Sequence, residues 1–449
     1  MVINRFSVRH YTSTLRLGIP IAIGQLGVIV QGFADTVMVG HYSTEALAAS
    51  AFVGNLFTLV TFLVMGYSYG LTPLVSSRVG RGEKREAGGL LKNALVANLL
   101  YGGLFLLVMT GLYFRLDLFG QPREILPLAA PYYLTILISM VFVILFNVLR
   151  QFTDGTTDTA TGMWTLLGGN LLNILLNFLL IFGVGPFPEL GLLGAGLATL
   201  ISRAAMALCI VWRILSGPRY APYRAGFLSV SLSRSQLRLV NAKSFPVSLQ
   251  IGMETGSFTC SAVMAGWLGA VQLASYQIMV TVGTLGFLFY YSFAAAMSIR
   301  VAGFCGTQSW QEARRATSAG RNLLLVMATV AGAAFLLFGN SLVSLFTTDE
   351  GVVQTCLILL LPLTLYQYSD AMQICYAGAL RGTGHVMPMM WIAAVSYLFV
   401  GIPAAYLLGF VACWGIIGIF LAFSAGLFTA AVLFYFTYRR YMRGVLSAG

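Results

Sequence analysis

The sequence predicts an all-α polytopic membrane protein, and two properties of its composition carry that prediction. Of its 449 residues, 58% are hydrophobic and only 9% are charged. Soluble proteins average about 25% charged residues, so this chain has too few charges to cover a water-facing surface. Disordered proteins combine low hydrophobicity with high charge, which is the opposite pattern. The composition therefore excludes both a soluble enzyme and a disordered protein.

Twelve transmembrane helices account for nearly the whole chain. A helix needs about 20 mostly apolar residues to cross a bilayer, whereas a β-barrel would show shorter alternating segments. The predicted spans leave no room for a soluble domain. They cover residues 15–39, 47–73, 90–113, 127–149, 161–184, 191–214, 245–268, 271–299, 320–346, 352–379, 387–409 and 411–436.

The basic residues support this count of helices. The formal net charge is +12, and cytoplasmic loops of membrane proteins carry an excess of Lys and Arg. With a cytoplasmic N-terminus, nearly all bases outside the spans lie on the cytoplasmic side. Arg115 and Arg123 are the exceptions, and Arg203 lies within a span. We therefore expect a multi-pass protein of the cell (inner) membrane with both termini in the cytoplasm, and no nucleic-acid partner.

The two halves of the chain resemble each other. LGIPIAIGQLG aligns with KSFPVSLQIGM and places Pro20 opposite Pro246, and GLLGAGLA aligns with GIIGIFLA. Six helices is an even number, so the two halves have the same orientation and a pseudo-two-fold axis along the membrane normal, an arrangement found in transporters. The predicted organisation is a first six-helix lobe at 1–214, a cytoplasmic linker at 215–243 and a second lobe at 244–449.

Motifs for catalysis or for a bound metal are missing from the sequence. Its six cysteines are scattered and form no Cys-x-x-Cys pair, so neither a disulfide scaffold nor a zinc site is expected. No paired His/Glu or Ser/Asp spacing indicates a hydrolase. We expect no cofactor and no catalytic residue, and therefore a protein that is not an enzyme.

Three carboxylates, Asp35, Glu254 and Asp370, cannot reach water at the end of a predicted span. An acid at mid-bilayer costs about 2.5–3.5 kcal/mol on insertion scales, so each one is a candidate functional residue. Glu254 and Asp370 each lie about 16 Å from the cytoplasmic edge by helical rise, which allows one shared site near the midplane. The other acids fall in predicted loops: Glu45, Glu83, Glu86, Asp117, Glu124, Asp154, Asp158, Glu189, Glu312, Asp349 and Glu350.

Neutral polar residues lie at matching depths. Tyr366 and Gln367 share a helical face with Asp370. In the first half, Asp35 lies in the outer part of its helix, at a depth compatible with Asn173, Asn177 and Thr199. Oxygen ligands suit hard cations such as Na⁺, and a buried carboxylate can instead take up a proton. The alternative is purely structural, with an acid paired to Arg203 or a backbone group and the amides acting as interhelical glue.

An aromatic and methionine-rich stretch in the second half is a weaker candidate. Such side chains could line a cavity for flat, apolar cations, although a stripe of this kind more often faces lipid or neighbouring helices. The candidate cavity residues are Met264, Met279, Phe287, Phe289, Tyr290 and Gln367.

Several segments together resemble the multidrug and toxic compound extrusion (MATE) family. They are GFADTVMVGHYSTEALAA, PLVSSRVGRGE, NILLNFLLIFG with PELGLLGAGLAT, and ALRGTG, while IGMETGSF and LYQYSDAMQ resemble its NorM-like branch. The resemblance implies Na⁺ binding by Glu254, Asp370 and Tyr366. It also implies proton or Na⁺ coupling at Asp35, with Asn173, Asn177 and Thr199 as polar partners. Some relatives carry an aspartate at the position of Asn177, and its absence here lowers the charge of that site.

The resemblance implies an antiporter that is driven by Na⁺, H⁺ or both. It would export amphipathic, often cationic compounds by alternating access, with small-molecule drugs and membrane lipid as its partners, and we expect a monomer. The alternative is a lipid-linked oligosaccharide flippase of a related superfamily. Flippases of that kind hold pyrophosphate with cationic residues, whereas this chain has one intramembrane arginine and three intramembrane acids. A pore is compatible with the composition, but duplicated halves with buried acids favour alternating access.

Overall fold

The computed structural model describes residues 5–120, 122 and 124–448, so Arg123 lies outside the described residues. Within these ranges the chain is helical and contains no strand, which confirms the predicted fold class. The helices are α1 (Arg5–Tyr42), α2 (Thr44–Ser68), α3 (Leu71–Gly80), α4 (Lys84–Tyr113), α5 (Leu126–Gly155), α6 (Thr159–Phe182), α7 (Gly191–Ser216), α8 (Ala221–Ser229), α9 (Arg234–Trp267), α10 (Ala270–Gly306), α11 (Trp310–Ser344), α12 (Glu350–Thr383), α13 (Met387–Ala393), α14 (Ile402–Tyr406) and α15 (Gly415–Ala448).

Eleven helical stretches in the described part of the chain are long and apolar enough to cross a membrane. Two of these stretches combine short elements, namely Thr44–Gly80 from α2 and α3, and Met387–Val411 from α13, α14 and the turns around them. The remaining predicted span, 245–268, is helical in α9 but less apolar, because residues such as Gln250, Glu254 and Ser257 interrupt it. The twelve-helix layout is consistent with this structure.

By its internal contacts the chain divides into two compact units. Unit 1 comprises Met1–Ala22 and Leu249–Gly449, and unit 2 comprises Ile23–Ser248. The divisions fall within α1 and α9, shortly after Pro20 and Pro246. A proline inside a helix removes one backbone hydrogen bond, which allows a local change of direction. The lobes predicted from the sequence, at 1–214 and 244–449, were defined by the order of the membrane crossings and not by internal contacts. Their limits stay a prediction.

Each unit is built around one well-buried helix. In unit 2 this helix is α5, which packs against α2, α4 and α7 and buries most of its second half. In unit 1 it is α12, which packs against α10, α11 and α15. Because these two helices are enclosed by others, polar side chains on them need protein partners or bound solutes.

The predicted cytoplasmic linker lies within unit 2 and packs against α4 and the end of α5. Lys92 donates to the carbonyl of Val230 at 3.0 Å, and the amide of Ser233 donates to Asn93 at 2.9 Å. Arg219 donates to the carbonyl of Thr156 at 2.8 Å, just after α5 ends. Unpaired carbonyls at a helix C-terminus attract cations, so this linker base stabilises a helix end.

Two acids expected in loops are buried. Asp158 does lie in the connection between α5 and α6, whereas the expected loop position was wrong for Asp154. Asp154 lies inside α5 and is 5% exposed, with its Oδ2 3.9 Å from Arg150 Nε. Asp158 is 9% exposed and caps α6, accepting from the amide of Thr161 at 3.2 Å and from Tyr220 at 2.7 Å. Burial and the neighbouring Asp158 carboxylate raise the pKa of Tyr220 above its ordinary value, which keeps its phenol protonated as the donor.

We expect Gly88→Ala to destabilise the protein by about 1–3 kcal/mol, because it overpacks the contact between α4 and α8. A methyl group on Gly88 would overlap the backbone carbonyl of Tyr223, and a backbone cannot rotate away. The matched control is Gly103→Ala in the same helix, where no atom lies within 4 Å of the added methyl. Thermal unfolding in detergent measures both variants, and equal melting temperatures would contradict the tight packing of α8.

Candidate functional site: two buried polar clusters

The first cluster surrounds Asp35 in unit 2. Gln31 lies one turn earlier on α1 and donates its amide N–H to Asp35 Oδ2 at 3.1 Å. Asn177 on α6 donates to the other carboxylate oxygen, Oδ1. Both oxygens of this half-buried acid therefore accept hydrogen bonds from uncharged amides, which stabilise the ionised form without adding charge.

Asn173 connects this carboxylate to α7. Its Oδ1 accepts from Gln31 at 3.0 Å and from Asn177 at 3.2 Å. Its Nδ2 donates to Thr199 at 3.5 Å and to Ser202 at 3.4 Å. The structure thus brings Asp35, Asn173, Asn177 and Thr199 into one hydrogen-bonded network, as their depths in the sequence had predicted.

The second cluster surrounds Glu254 in unit 1. Glu254 Oε2 accepts from Gln250 Nε2 at 2.9 Å, within α9, and from Gln373 Nε2 on α12 at 3.3 Å. Gln373 also donates to the phenol oxygen of Tyr397 at 2.8 Å. Tyr397 is 1% exposed. One glutamine side chain therefore joins α9, α12 and the segment that carries Tyr397.

The segment that carries Tyr397 has an unusual backbone. Between α13 and α14 the chain makes widened π-helical turns over Ala394–Gly401. Such turns are rare and often occur at functional sites, because they re-aim side chains relative to an α-helix. Here they bury Ser396 and Tyr397 inside unit 1.

Asp370 lies in the same unit and is 1% exposed, and its Oδ2 has no hydrogen-bond partner. Tyr366, one turn earlier on α12, lies in hydrogen-bonding range of this carboxyl group. Glu254 lies within electrostatic range of it. Further buried atoms around the two acids also lack partners: both amide atoms of Gln367, the Tyr290 phenol, the Oε1 atoms of Gln250 and Gln373, and Ser396 Oγ.

Unsatisfied buried polar atoms are costly and rare in native proteins, so a group of them indicates a bound ion, protons or water. Most of the unpartnered atoms here are oxygens, and two carboxylates accompany them. Carboxylate, carbonyl and hydroxyl oxygens are the ligands that hard cations prefer. The chemistry of the second cluster therefore suits a small hard cation.

The residues predicted to line a substrate cavity differ in their solvent exposure. Met264, Met279, Tyr290 and Gln367 are buried in unit 1, whereas Phe289 is 39% exposed. Phe287 is half-buried and stacks on Tyr291. Their role in a substrate cavity stays a prediction.

Sequence reasoning missed five members of these clusters: Gln31, Ser202, Gln250, Gln373 and Tyr397. Gln31 and Gln250 each lie four residues before a candidate acid, and this spacing places them on the same helical face. That signal was available in the sequence. Gln373 and Tyr397 come from other helices, and only the packing of unit 1 places them near Glu254.

The fold and the two clusters define a multi-pass helical membrane protein with carboxylates held inside its spans. The chain belongs to the MATE family, since the family model MatE matches it twice, over residues 20–179 and 246–407. The two matches begin at the two prolines that the internal repeat aligns, Pro20 and Pro246. The relatives described next place it in the NorM-like branch.

Similar proteins span nearly the whole chain. The "Multidrug resistance protein NorM" of Vibrio cholerae is 28% identical and covers 95% of this chain and 94% of its own length. The "Probable multidrug resistance protein NorM" of Xanthomonas campestris is 30% identical, with 99% and 97% covered. That of Photorhabdus laumondii is 28% identical, with 98% and 97% covered.

Solved structures share the fold. An outward-facing multidrug resistance MATE family transporter of the MOP superfamily matches with a TM-score of 0.89 at 20% identity, covering 98% of this chain and 97% of its own. A MOP superfamily transporter from Pyrococcus furiosus, described as having a binding pocket of reverse polarity, matches with a TM-score of 0.89 at 20% identity, covering 97% and 96%. At this level of identity the likeness concerns the fold alone.

Proposed function

We propose that this protein is a cation-coupled multidrug antiporter, and not an enzyme, that exports amphipathic, often cationic compounds from the cytoplasm. The relatives named as multidrug resistance proteins support the export of drugs. The proposal places the chain in the cell (inner) membrane as a monomer, with both termini in the cytoplasm. Na⁺, H⁺ or both drive the exchange, and no resident cofactor takes part.

The observation that carries this proposal is the buried group of unpartnered polar atoms around Glu254 and Asp370. These buried atoms have no hydrogen-bond partner among the described residues. A transported ion or its protons would supply the missing partners. A coupling cation would be transported cargo, held by the two carboxylates and the Tyr366 phenol. Its arrival would change the charge of unit 1 by one, and its release would restore the original charge.

Exchange of charge supplies the driving force. Each elementary charge that moves inward across 100 mV contributes about 2.3 kcal/mol, before any concentration gradient is counted. A cationic drug and a coupling ion carry the same charge and compete for the same carboxylates. The protein therefore cannot bind both at full affinity at the same time. This competition couples cation entry to drug release under alternating access.

The intramembrane charges do not support a flippase for lipid-linked sugars. A pyrophosphate cargo requires cationic groups, because bidentate arginine contacts give phosphate recognition its strength. Arg203 already donates to Ser139 at 2.7 Å, and three carboxylates outnumber it. A cationic cargo matches this balance.

The direct test is ethidium transport by inverted membrane vesicles with a Na⁺ gradient or a H⁺ gradient imposed separately. We expect at least one of the two gradients to drive ethidium uptake above the rate without a gradient. The gradients are collapsed in control vesicles with a Na⁺ or H⁺ ionophore, which should abolish the response. Transport that is insensitive to both gradients would overturn the proposed antiport.

A further inference from the structure

The stretch between Glu189 and Glu254 is basic throughout. It contains no Asp or Glu. After Arg203 its bases are Arg213, Arg219, Arg224, Arg234, Arg238 and Lys243. An excess of Lys and Arg is common in cytoplasmic loops and by itself indicates only orientation. The depth and the exposed side chains of this stretch indicate something more specific.

The linker in this stretch runs along the beginning of α4. A methyl group on Gly226 of α8 would overlap a backbone carbonyl in the first turn of α4, so the two helices touch there. Farther along, Lys92 donates to the carbonyl of Val230 at 3.0 Å, and the amide of Ser233 donates to Asn93 at 2.9 Å. The predicted span of α4 begins at residue 90. This part of the linker therefore lies where α4 enters the bilayer.

Two leucines in the same part of the linker are exposed. Leu228 is 79% exposed and Leu232 is 52% exposed. Leu228 projects from α8 about 200° around the helix axis from Gly226, and therefore away from α4. Exposed leucines are unfavourable in water, whereas the hydrocarbon edge of a bilayer removes that cost. Their depth beside α4 thus favours contact with lipid.

The end of α7 adjoins this region. Trp212 and Leu215 are exposed in its last two turns, and tryptophan is typical of the membrane–water interface. Arg224 of α8 donates to the carbonyls of Ile214 and Gly217, both at 3.1 Å. These bonds hold α8 against the end of α7.

Two exposed arginines lie beside the leucines. Arg234 follows Leu232 by two residues, and Arg213 is in the last turn of α7, against which α8 is held. We refer to Arg213, Leu228, Leu232 and Arg234 as the linker surface. The acid of α4, Glu86, lies in its first turn beside two bases, farther from the bilayer. The linker surface therefore combines apolar side chains with uncompensated positive charge at the depth of lipid headgroups.

We propose that the linker surface binds an anionic phospholipid, with its leucines against the acyl chains and its two arginines on the headgroup phosphate. Guanidinium groups bind phosphate oxygens in pairs, and long arginine side chains reach the headgroup from a backbone at the interface. A zwitterionic lipid carries the same phosphate, but its ammonium group cancels the negative charge. Each base near an anionic membrane surface strengthens binding about fivefold. The inference concerns lipid recognition and goes beyond drug transport.

Quenching of Trp212 fluorescence by brominated lipids tests this proposal on the full-length protein in vesicles. The protein carries Trp212 as its only tryptophan, with phenylalanine at the other five positions. Brominated phosphatidylglycerol and phosphatidylcholine compete for the lipid positions around it. We expect phosphatidylglycerol to bind there about fivefold more strongly or better. Arg213→Gln combined with Arg234→Gln should bring the two lipids close to equal binding.

Two matched controls accompany this measurement. Arg440→Gln with Arg443→Gln removes the same number of exposed charges from the end of α15 and should leave the preference at Trp212 unchanged. A variant with Trp391 as its only tryptophan reports an exposed position in unit 1 and should show no preference for phosphatidylglycerol. Inorganic phosphate at millimolar concentration should not displace the lipid.

Equal quenching of Trp212 by the two lipids in the protein with all its arginines would overturn the proposal, so the test does not depend on the folding of an arginine variant. A preference that survives the loss of Arg213 and Arg234 would overturn it too. Displacement by inorganic phosphate would assign the site to free phosphate instead. Protection of Trp212 from both lipids and from aqueous iodide would show that protein covers this surface, which also contradicts the proposal.

Discussion

Asp370→Asn is expected to abolish gradient-driven drug efflux while its melting temperature stays equal to or above that of the unsubstituted protein. The substitution keeps the shape of the side chain and removes the charge. Loss of one coupling charge lowers the free energy that drives transport by about 2.3 kcal/mol per 100 mV. This corresponds to an about 50-fold smaller drug gradient that the protein can sustain. Asp370 Oδ2 has no hydrogen-bond partner, whereas an asparagine N–H can donate to neighbouring orphaned oxygens. Stability should therefore not fall.

The measurements are ethidium efflux from cells at matched expression and thermal unfolding in detergent. Asp117→Asn is the control, because Asp117 is an exposed acid of a short turn between α4 and α5. It should change neither efflux nor melting temperature. A purely structural Asp370 would give the reverse result, with lower stability and normal efflux, and that pattern would contradict its role in coupling.

Asp35→Asn is expected to abolish efflux as well, but with a lower melting temperature. Both oxygens of Asp35 accept from amide N–H groups of Gln31 and Asn177. The new N–H of asparagine would face one of these donors, and hydrogen bonds to charged groups contribute about 1.5–3 kcal/mol. Neutralisation also removes a negative charge that lies within electrostatic range of Arg203. The two carboxylates should thus give opposite changes in stability for the same chemical substitution.

Thermal unfolding of the two variants, measured side by side, checks this difference in sign. Asp35→Glu serves as a second variant, because it keeps the charge and changes only the reach of the side chain. It should retain part of the efflux that Asp35→Asn loses. Normal efflux by both asparagine variants would show that neither acid couples transport. Equal shifts in melting temperature would contradict the donor-rich environment described for Asp35.

Much of the fold was predictable because the interior of a bilayer strongly disfavours backbone groups without hydrogen bonds and side chains that carry a charge. Each span must satisfy its own hydrogen bonds, so length and apolar composition locate the helices without knowledge of their neighbours. The same penalty marks Asp35, Glu254 and Asp370 as exceptional. The expectation failed where burial depends on a distant segment. Asp154 looked like a loop residue at the end of a span, yet it is 5% exposed among neighbouring helices.

The sequence by itself determined the class of protein and the positions of most helices, and it singled out the three acids predicted to lie inside the membrane. Tertiary structure alone decided which groups face those acids. Gln373 and Tyr397 reach Glu254 from other helices, and Asn177 reaches Asp35 across 142 positions of the chain. The physical reason is that hydropathy acts residue by residue, whereas hydrogen-bond geometry depends on which helical faces meet. That geometry gives both oxygens of Asp35 a hydrogen-bond donor and leaves Asp370 Oδ2 without one.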